Sequence, residues 1–385
     1  MALFIALFLL LSILWGVTLW KFQPSMKWLI GFALVFRAIL LPVGLMTGEN
    51  PRLILYDDDI WRYLWEGHVW SAGLNPMRTA PAELEEYEIR RRDPSLYAKL
   101  YPNRHWGAIY DNIGYREVAS PYPLMGQAIF RLAHWLRPGS LLALKMIVLG
   151  FDLATMALLW RFGSFALLAY AWNPLVVKEF AGSAHIDAAL VFFLLAAVAY
   201  VGRSGSVWLA MGALVKPIAL LLAPALWKRE GWRAIMAPTA AAGLIASAPT
   251  AGLRAYAGQW TFNPALFRLL PVSREAALIA AGVALAGLAL YRFRKDDGKP
   301  EALIAHGIWM FGAFLLLTPM FAPWYLTWIL PFAAIRRAWF WLALSGSIFL
   351  SYHAYLEFAE SLPLVIAEFA IPVGFWWRMR KNGIL

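Results

Sequence analysis

Three consecutive carboxylates, Asp57, Asp58 and Asp59, open a polar stretch in an otherwise apolar chain. Adjacent carboxylates repel, so one of them holds a proton more tightly unless an arginine, a metal or a substrate cation compensates. Such a group suits a general base, or a ligand for a hard divalent cation such as Mg or Mn. No His-rich ligand set in the sequence requires a metal. A plainer role is also available, because Asp is favoured at N-caps and first turns and a helix is expected from near Ile60; one Asp would suffice for that. Along this helix Asp58, Arg62 and Glu66 recur every four residues and share a face, as do Asp59, Tyr63 and, approximately, Glu66.

Three further constellations carry polar chemistry. Asn173, Pro174, Lys178, Glu179, His185 and Asp187 lie between two apolar runs, where ionisable groups are costly and point to function. Lys178 with Glu179 could be an interfacial ion pair, while His185 and Asp187 stand at the mouth of a helix. Lys216 precedes Pro217 and could snorkel or bind an anion. Pro323, Trp324, Tyr325 and Trp328 form an aromatic group for which an interfacial belt is a sufficient explanation.

The elements that must position these residues are membrane helices. Of 385 residues 61% are hydrophobic and 15% charged, too few polar groups to cover a water-soluble surface. The apolar runs far exceed the roughly 10-residue strands of a barrel, which leaves an all-α polytopic membrane protein. There is no cysteine, hence no disulfide or thiolate-bound metal. The net charge of +11 reflects basic residues recurring between apolar runs rather than one patch, so it is read as positive-inside bias and not as a nucleic-acid surface. Residues 1–20 lack a basic n-region and a small-residue cleavage site, and a retained helix is expected.

Apolar runs fall at about 2–20, 27–46, 141–160, 163–178, 186–202, 206–227, 233–251, 274–291, 301–318, 324–335, 338–351 and 363–377. The clusters at Lys228 to Arg233, Arg292 to Lys299, Arg336 and Arg337, and Arg378 to Lys381 fit one cytoplasmic side if 206–227 is a hairpin broken at Lys216 and Pro217. The loop 47–140 then lies outside, provided that 121–136, interrupted by Pro121, Pro123, Arg131 and His134, rests at the interface. About thirteen spans are expected, with the N-terminus out and the C-terminus in. The chain divides into N-terminal membrane helices (1–46), an external loop with juxtamembrane helices (47–140) and the remaining bundle (141–385).

In this orientation the acidic run, His185 with Asp187, Lys216 and the Trp324–Tyr325 turn face one side, a cationic point for phosphate beside a carboxylate base. The segment Asp57-Asp-Asp-Ile-Trp-Arg-Tyr-Leu-Trp-Glu-Gly-His-Val-Trp-Ser-Ala-Gly-Leu-Asn-Pro76 resembles the first-loop signature of bacterial GT-C glycosyltransferases, especially polyprenol-phosphate-mannose-dependent mannosyltransferases. Tyr122-Pro-Leu-Met-Gly-Gln127 is similar to a Tyr-Pro-Pro-Leu segment of that family, with Leu124 where a second proline is usual. The stretch from Trp172 to Asp187, Leu214-Val-Lys-Pro217 and Ala322-Pro-Trp-Tyr325 resemble its later blocks.

The resemblance implies the GT-C fold and inverting transfer of a sugar, mannose first, from a polyprenyl phosphate to an acceptor hydroxyl of a glycan, glycolipid or protein. The site would face the periplasm or exterior of a bacterial inner membrane. It implies Asp58 as the base, helped by Asp59, with Asp57 an extra neighbour that leaves the choice among the three open. Arg62 and Tyr63 would orient the acids or sugar hydroxyls, Lys178, His185 or Lys216 would offset the charge of the leaving phosphate, and Glu66, Asp187, Trp324 and Tyr325 complete the substrate-binding set. Alternatives are an aminoarabinose, glucose or arabinose donor on the same scaffold, and a transporter or flippase. Against the last stand the absence of visible inverted repeats and the heavy external loop.

Overall fold

The computed structural model describes residues 2–22, 24–45, 58–248, 251–270, 272–357 and 359–381, so that Asp57 lies outside the described residues. Among them the chain is all-α, with one isolated bridge between Phe262 and Met320. The chain opens with α1 (Ala2–Lys21) and α2 (Met26–Leu40). The polar region holds α3 (Asp59–Ser71), α4 (Glu86–Arg92), α5 (Pro94–Leu100), α6 (Arg104–Asp111) and α7 (Leu124–Leu136). There follow α8 (Leu141–Trp160), α9 (Ser164–Ala171), α10 (Pro174–Val177), α11 (Asp187–Ala199), α12 (Gly205–Val215), α13 (Ala223–Glu230) and α14 (Arg233–Ser247). The last are α15 (Ala251–Gln259), α16 (Arg274–Lys295), α17 (Pro300–Leu317), α18 (Leu330–Arg336), α19 (Trp339–Ser347), α20 (His353–Glu357) and α21 (Leu362–Lys381).

Five helices among the described residues, α1, α8, α16, α17 and α21, are long and apolar enough to cross a membrane, which marks a multi-pass membrane protein. This corrects the expected thirteen spans. Two of the expected single helices, 163–178 and 324–335, are broken within, and 206–227 is broken as expected. The run 163–178 is α9, α10 and the start of a π-turn at Lys178–Gly182; 206–227 is α12, a 3₁₀ turn at Pro217–Leu222 and part of α13; 324–335 is a 3₁₀ turn at Pro323–Trp328 followed by most of α18. Each piece is shorter than the roughly 17 residues a span needs. The expected break at Lys216 is present: α12 stops at Val215 and Lys216 is extended before Pro217. The segment expected at the interface forms α7, whose 13 residues are too short to span.

At the centre stands α11, apolar on every side after Asp187 and buried along nearly its whole length, as a helix without a polar face must be. It packs on α8, α12 and the Pro323–Trp328 turn. A buried ion pair fastens α2 to α8: Arg37 Nε donates to Asp152 Oδ2 at 2.6 Å, Tyr170 donates to Asp152 Oδ1 at 3.0 Å, and Arg37 Nη1 reaches the carbonyl of Ala171 at 2.8 Å. Arg37 and Asp152, charges inside two apolar runs, signalled such a pair, which the sequence reading passed over.

The polar region folds because its short helices are capped. Glu85 accepts from the Glu88 amide, Asp93 from Leu96 and Asn103 from His105, and α4 carries acids in its first turn and Arg90 to Arg92 in its last, matching the helix dipole. Around α3 they build an aromatic core in which His68 stacks on Trp106, ring centroids 3.6 Å apart. Burial pushes His68 down to about 4, so the ring is neutral and serves packing. Helix α3 meets α7 backbone to backbone, since a Cβ on Gly67 would stand 2.3 Å from the Phe130 carbonyl oxygen; glycine is required at that crossing.

Candidate functional site

A cavity of about 790 Å³ runs from the start of α3 to α16 and α17. Of the residues singled out from sequence, Asp58, Asp59, Arg62, Lys216, Trp324 and Tyr325 line it. Its opposite flank is apolar, with Leu278, Ala281, Gly282 and Leu285 of α16 and Phe314 and Leu317 of α17. Ile279 and Val283, on the other face of α16, are 68% exposed, so one thin helix wall separates the cavity from the outer surface of the bundle.

Asp58 occupies the N-cap position of α3, yet its side chain accepts no capping hydrogen bond. Capping therefore does not account for this carboxylate. Asp59, in the first turn, accepts from the hydroxyls of Tyr63 and Tyr122, each at 3.3 Å, and its Oδ2 is 3.7 Å from His185 Nδ1. Burial, then Tyr122 and Asp59, raises Tyr63 well above the ordinary tyrosine range; burial, then Asp59, does so for Tyr122. Both hydroxyls stay protonated and remain donors.

Arg62 and Glu66 form the expected i,i+4 pair, Nε to Oε1 at 2.8 Å. Arg62 also donates to the carbonyls of Tyr115 and Val118, and Glu66 accepts from Ser120 at 2.6 Å and Gln127 at 2.8 Å. The pair pins the segment that carries Tyr115 and Tyr122. Glu66, expected among the substrate-binding residues, is buried and does not line the cavity; its hydrogen bonds tie the helix to that segment.

The second constellation also divides. Lys178 is fully buried, donates to Glu179 Oε2 at 3.1 Å and to the Tyr352 hydroxyl at 2.6 Å, and does not reach the cavity. Tyr352 in turn donates to Glu179 Oε1. Lys178 is hence no contact for a phosphate in this arrangement: its charge is consumed by Glu179, one residue away. His185 lies behind the cavity wall, stacked on Trp324 with centroids 4.2 Å apart, and its Nε2 is 3.3 Å from Glu179 Oε2. Asp187 is fully buried and accepts from Lys216 at 2.8 and 2.9 Å and from Trp328 Nε1 at 2.5 Å. It holds Lys216 and does not itself line the cavity.

Lys216 completes the polar end. Its ammonium lies 4.9 Å from the Tyr325 ring centroid and 5.4 Å from that of Trp328, positions in which ring faces attract a cation. With the negative Asp187 buried behind it, the pair is a fixed dipole whose positive end meets the cavity. Trp324 and Tyr325 are buried and wall the cavity, a placement that replaces the lipid-interface belt.

The backbone that delivers His185 is unusual. A π-turn at Lys178–Gly182 is followed by Ala184 at φ 56°, a left-handed conformation that costs a non-glycine residue about 1–3 kcal/mol. The His185 amide closes the turn on the Glu179 carbonyl at 3.0 Å.

Sequence reasoning missed Gly114, Tyr115, Trp260, Phe262 and Tyr355 of the cavity wall and Tyr352 of the buried cluster. Trp260-Thr-Phe-Asn-Pro264, an aromatic break between apolar runs, was the available signal for two of them. Among the described residues no group of three or more His, Asp or Glu side chains is placed to hold a metal ion. No protein-family model, curated protein or solved structure matches the chain.

Proposed function

We propose that the protein is an inverting glycosyltransferase of the GT-C type that moves a sugar, mannose first, from a polyprenyl phosphate to an acceptor hydroxyl on the non-cytoplasmic face of a bacterial inner membrane. The observation that carries this reading is the composition of one cavity: paired carboxylates and a buried-dipole lysine at its polar end, an apolar flank along α16 and α17 at the other. A sugar phosphate fits the first and isoprene units the second. One carboxylate of Asp58 and Asp59 takes the proton of the acceptor hydroxyl as its oxygen attacks the anomeric carbon. The bond to the phosphate oxygen breaks, and the Lys216 dipole offsets the charge gathering there, a contribution that is large in a dry site. Trp324 and Tyr325 wall the space for the sugar.

Protein reconstituted in liposomes with polyprenyl-phosphate mannose, glucose, arabinose or aminoarabinose tests the reading. Release of polyprenyl phosphate from one donor, with inversion at the anomeric carbon by NMR, is the expected result. No turnover and no binding of any of the four would remove it.

The site also explains a glycine. A Cβ on Gly114 would stand 2.9 Å from Asp58 Oδ2, closer than side chains approach, so Gly114→Ala displaces that carboxylate. Turnover is expected to fall about 10- to 100-fold, the scale of an ångström-sized misplacement. In an Asp58→Asn background the same change should have no further effect; equal losses in both backgrounds would show that Gly114 acts elsewhere.

A further inference from the structure

The hydroxyl of Tyr63 lies 3.3 Å from Asp59 Oδ2 and 3.5 Å from His185 Nδ1, bridging two groups that are themselves 3.7 Å apart. Beyond the imidazole, Nε2 lies 3.3 Å from Glu179 Oε2 without a hydrogen bond to it, and Glu179 is held by Lys178 and Tyr352. We propose that Tyr63 and His185 form a proton path that drains Asp59 during sugar transfer, with Glu179 balancing the charge of the imidazolium, which makes Asp59, rather than the Asp58 favoured from sequence, the group that takes the acceptor's proton. This rests on the transferase reading above.

The step balances without any further reactant. The acceptor O–H bond breaks as its oxygen bonds the anomeric carbon and the lipid phosphate leaves with the old bond pair. The proton lands on an Asp59 oxygen. Tyr63 then accepts that proton on its oxygen while passing its own to His185 Nδ1, so no tyrosinate forms and the Asp59 carboxylate is regenerated. His185 starts as the tautomer with hydrogen on Nε2, and the imidazolium that results sits between the carboxylates of Asp59 and Glu179. Reversal after product release returns the proton to the cavity, where Asp59 has 28% side-chain exposure and His185 none.

Two features fit a device and not mere filling. The ring is held by Trp324 on its face and Tyr63 at one edge, with Glu179 Oε2 3.3 Å from the other. The chain adopts both a π-turn and a left-handed alanine to bring it there, and strained backbone of this kind gathers at functional sites. The charged and titratable groups around the ring are Asp59, Tyr63 and Glu179, with Tyr122 on Asp59, Lys178 and Tyr352 on Glu179, and Asp187 compensated by Lys216 nearby.

The first arm of the test needs no substrate. In ¹⁵N-histidine spectra of the full chain in detergent, the His185 signals are those missing from His185→Asn. Their titration midpoint is expected to move by about one pH unit in Asp59→Asn and again in Glu179→Gln. An unchanged midpoint in both variants overturns the path, whether or not transfer is ever detected. The second arm uses polyprenyl-phosphate mannose. His185→Ala should lose about 100-fold in kcat with donor KM within about threefold, and added imidazoles should restore rate in proportion to their basicity. Tyr63→Phe should lose about tenfold. Full kcat and an unaltered pH profile in His185→Ala, beside an inactive Asp59→Asn, would overturn the path while leaving the transferase reading intact.

Discussion

Asp59→Asn should lower turnover of a polyprenyl-phosphate sugar by about 10³-fold, the middle of the range for a general base. The substitution keeps size and an oxygen that can accept from Tyr63 and Tyr122, so the two donor contacts at 3.3 Å survive. What is lost is the capacity to accept a proton. Donor KM should therefore stay within about threefold, the signature of an interaction made in the transition state and not in binding. Single-turnover rates with mannose donor, measured beside thermal melts in detergent, check this. Asp58→Asn is the informative companion. Its carboxylate lines the same cavity, opposite Gly114, and a smaller loss is expected. A larger loss than that of Asp59→Asn would return the role of base to Asp58, and an active Asp59→Asn would end the assignment outright.

Lys216→Met should have the second largest effect, about 10²- to 10³-fold in kcat, the scale of removing one electrostatic donor from an active site. It also strips a fully buried Asp187 of its counter-ion, and breaking such a pair costs about 3–5 kcal/mol. Loss of fold could thus be mistaken for loss of chemistry. Adding Asp187→Asn removes the orphaned charge while keeping an acceptor for Trp328 Nε1. The double variant should regain most of the melting temperature and none of the turnover. Recovery of turnover would show that Lys216 only neutralises Asp187.

Local spacing made part of this site legible. Arg62–Glu66 and Asp59–Tyr63 are one helical turn apart, and both pairs meet. Proline at 217 announced the break that leaves Lys216 extended. Partners that come together only through packing were not legible: Asp187 with Lys216 and Trp328, or Glu179 with Tyr352, separated by 173 positions. Lys178 looked available because its neighbour Glu179 reads as a surface ion pair, while burial makes that same pair a closed unit. Trp324 and Tyr325 illustrate a deeper ambiguity, since an aromatic belt and an aromatic cavity wall have the same composition. The span count failed for a related reason: hydropathy records where a chain is apolar and is blind to the turns inside an apolar run.

The π-turn at Lys178–Gly182 holds one residue more than an α-helical turn would. The turn is followed by left-handed Ala184, so deleting any single residue there removes the register that brings the His185 amide to the Glu179 carbonyl. The aim of His185 and Asp187 is accordingly written in how many residues precede them as much as in which ones. Substitutions at Phe180 or Ala181 are errors of spelling, but a one-residue insertion or deletion moves His185 out of that register.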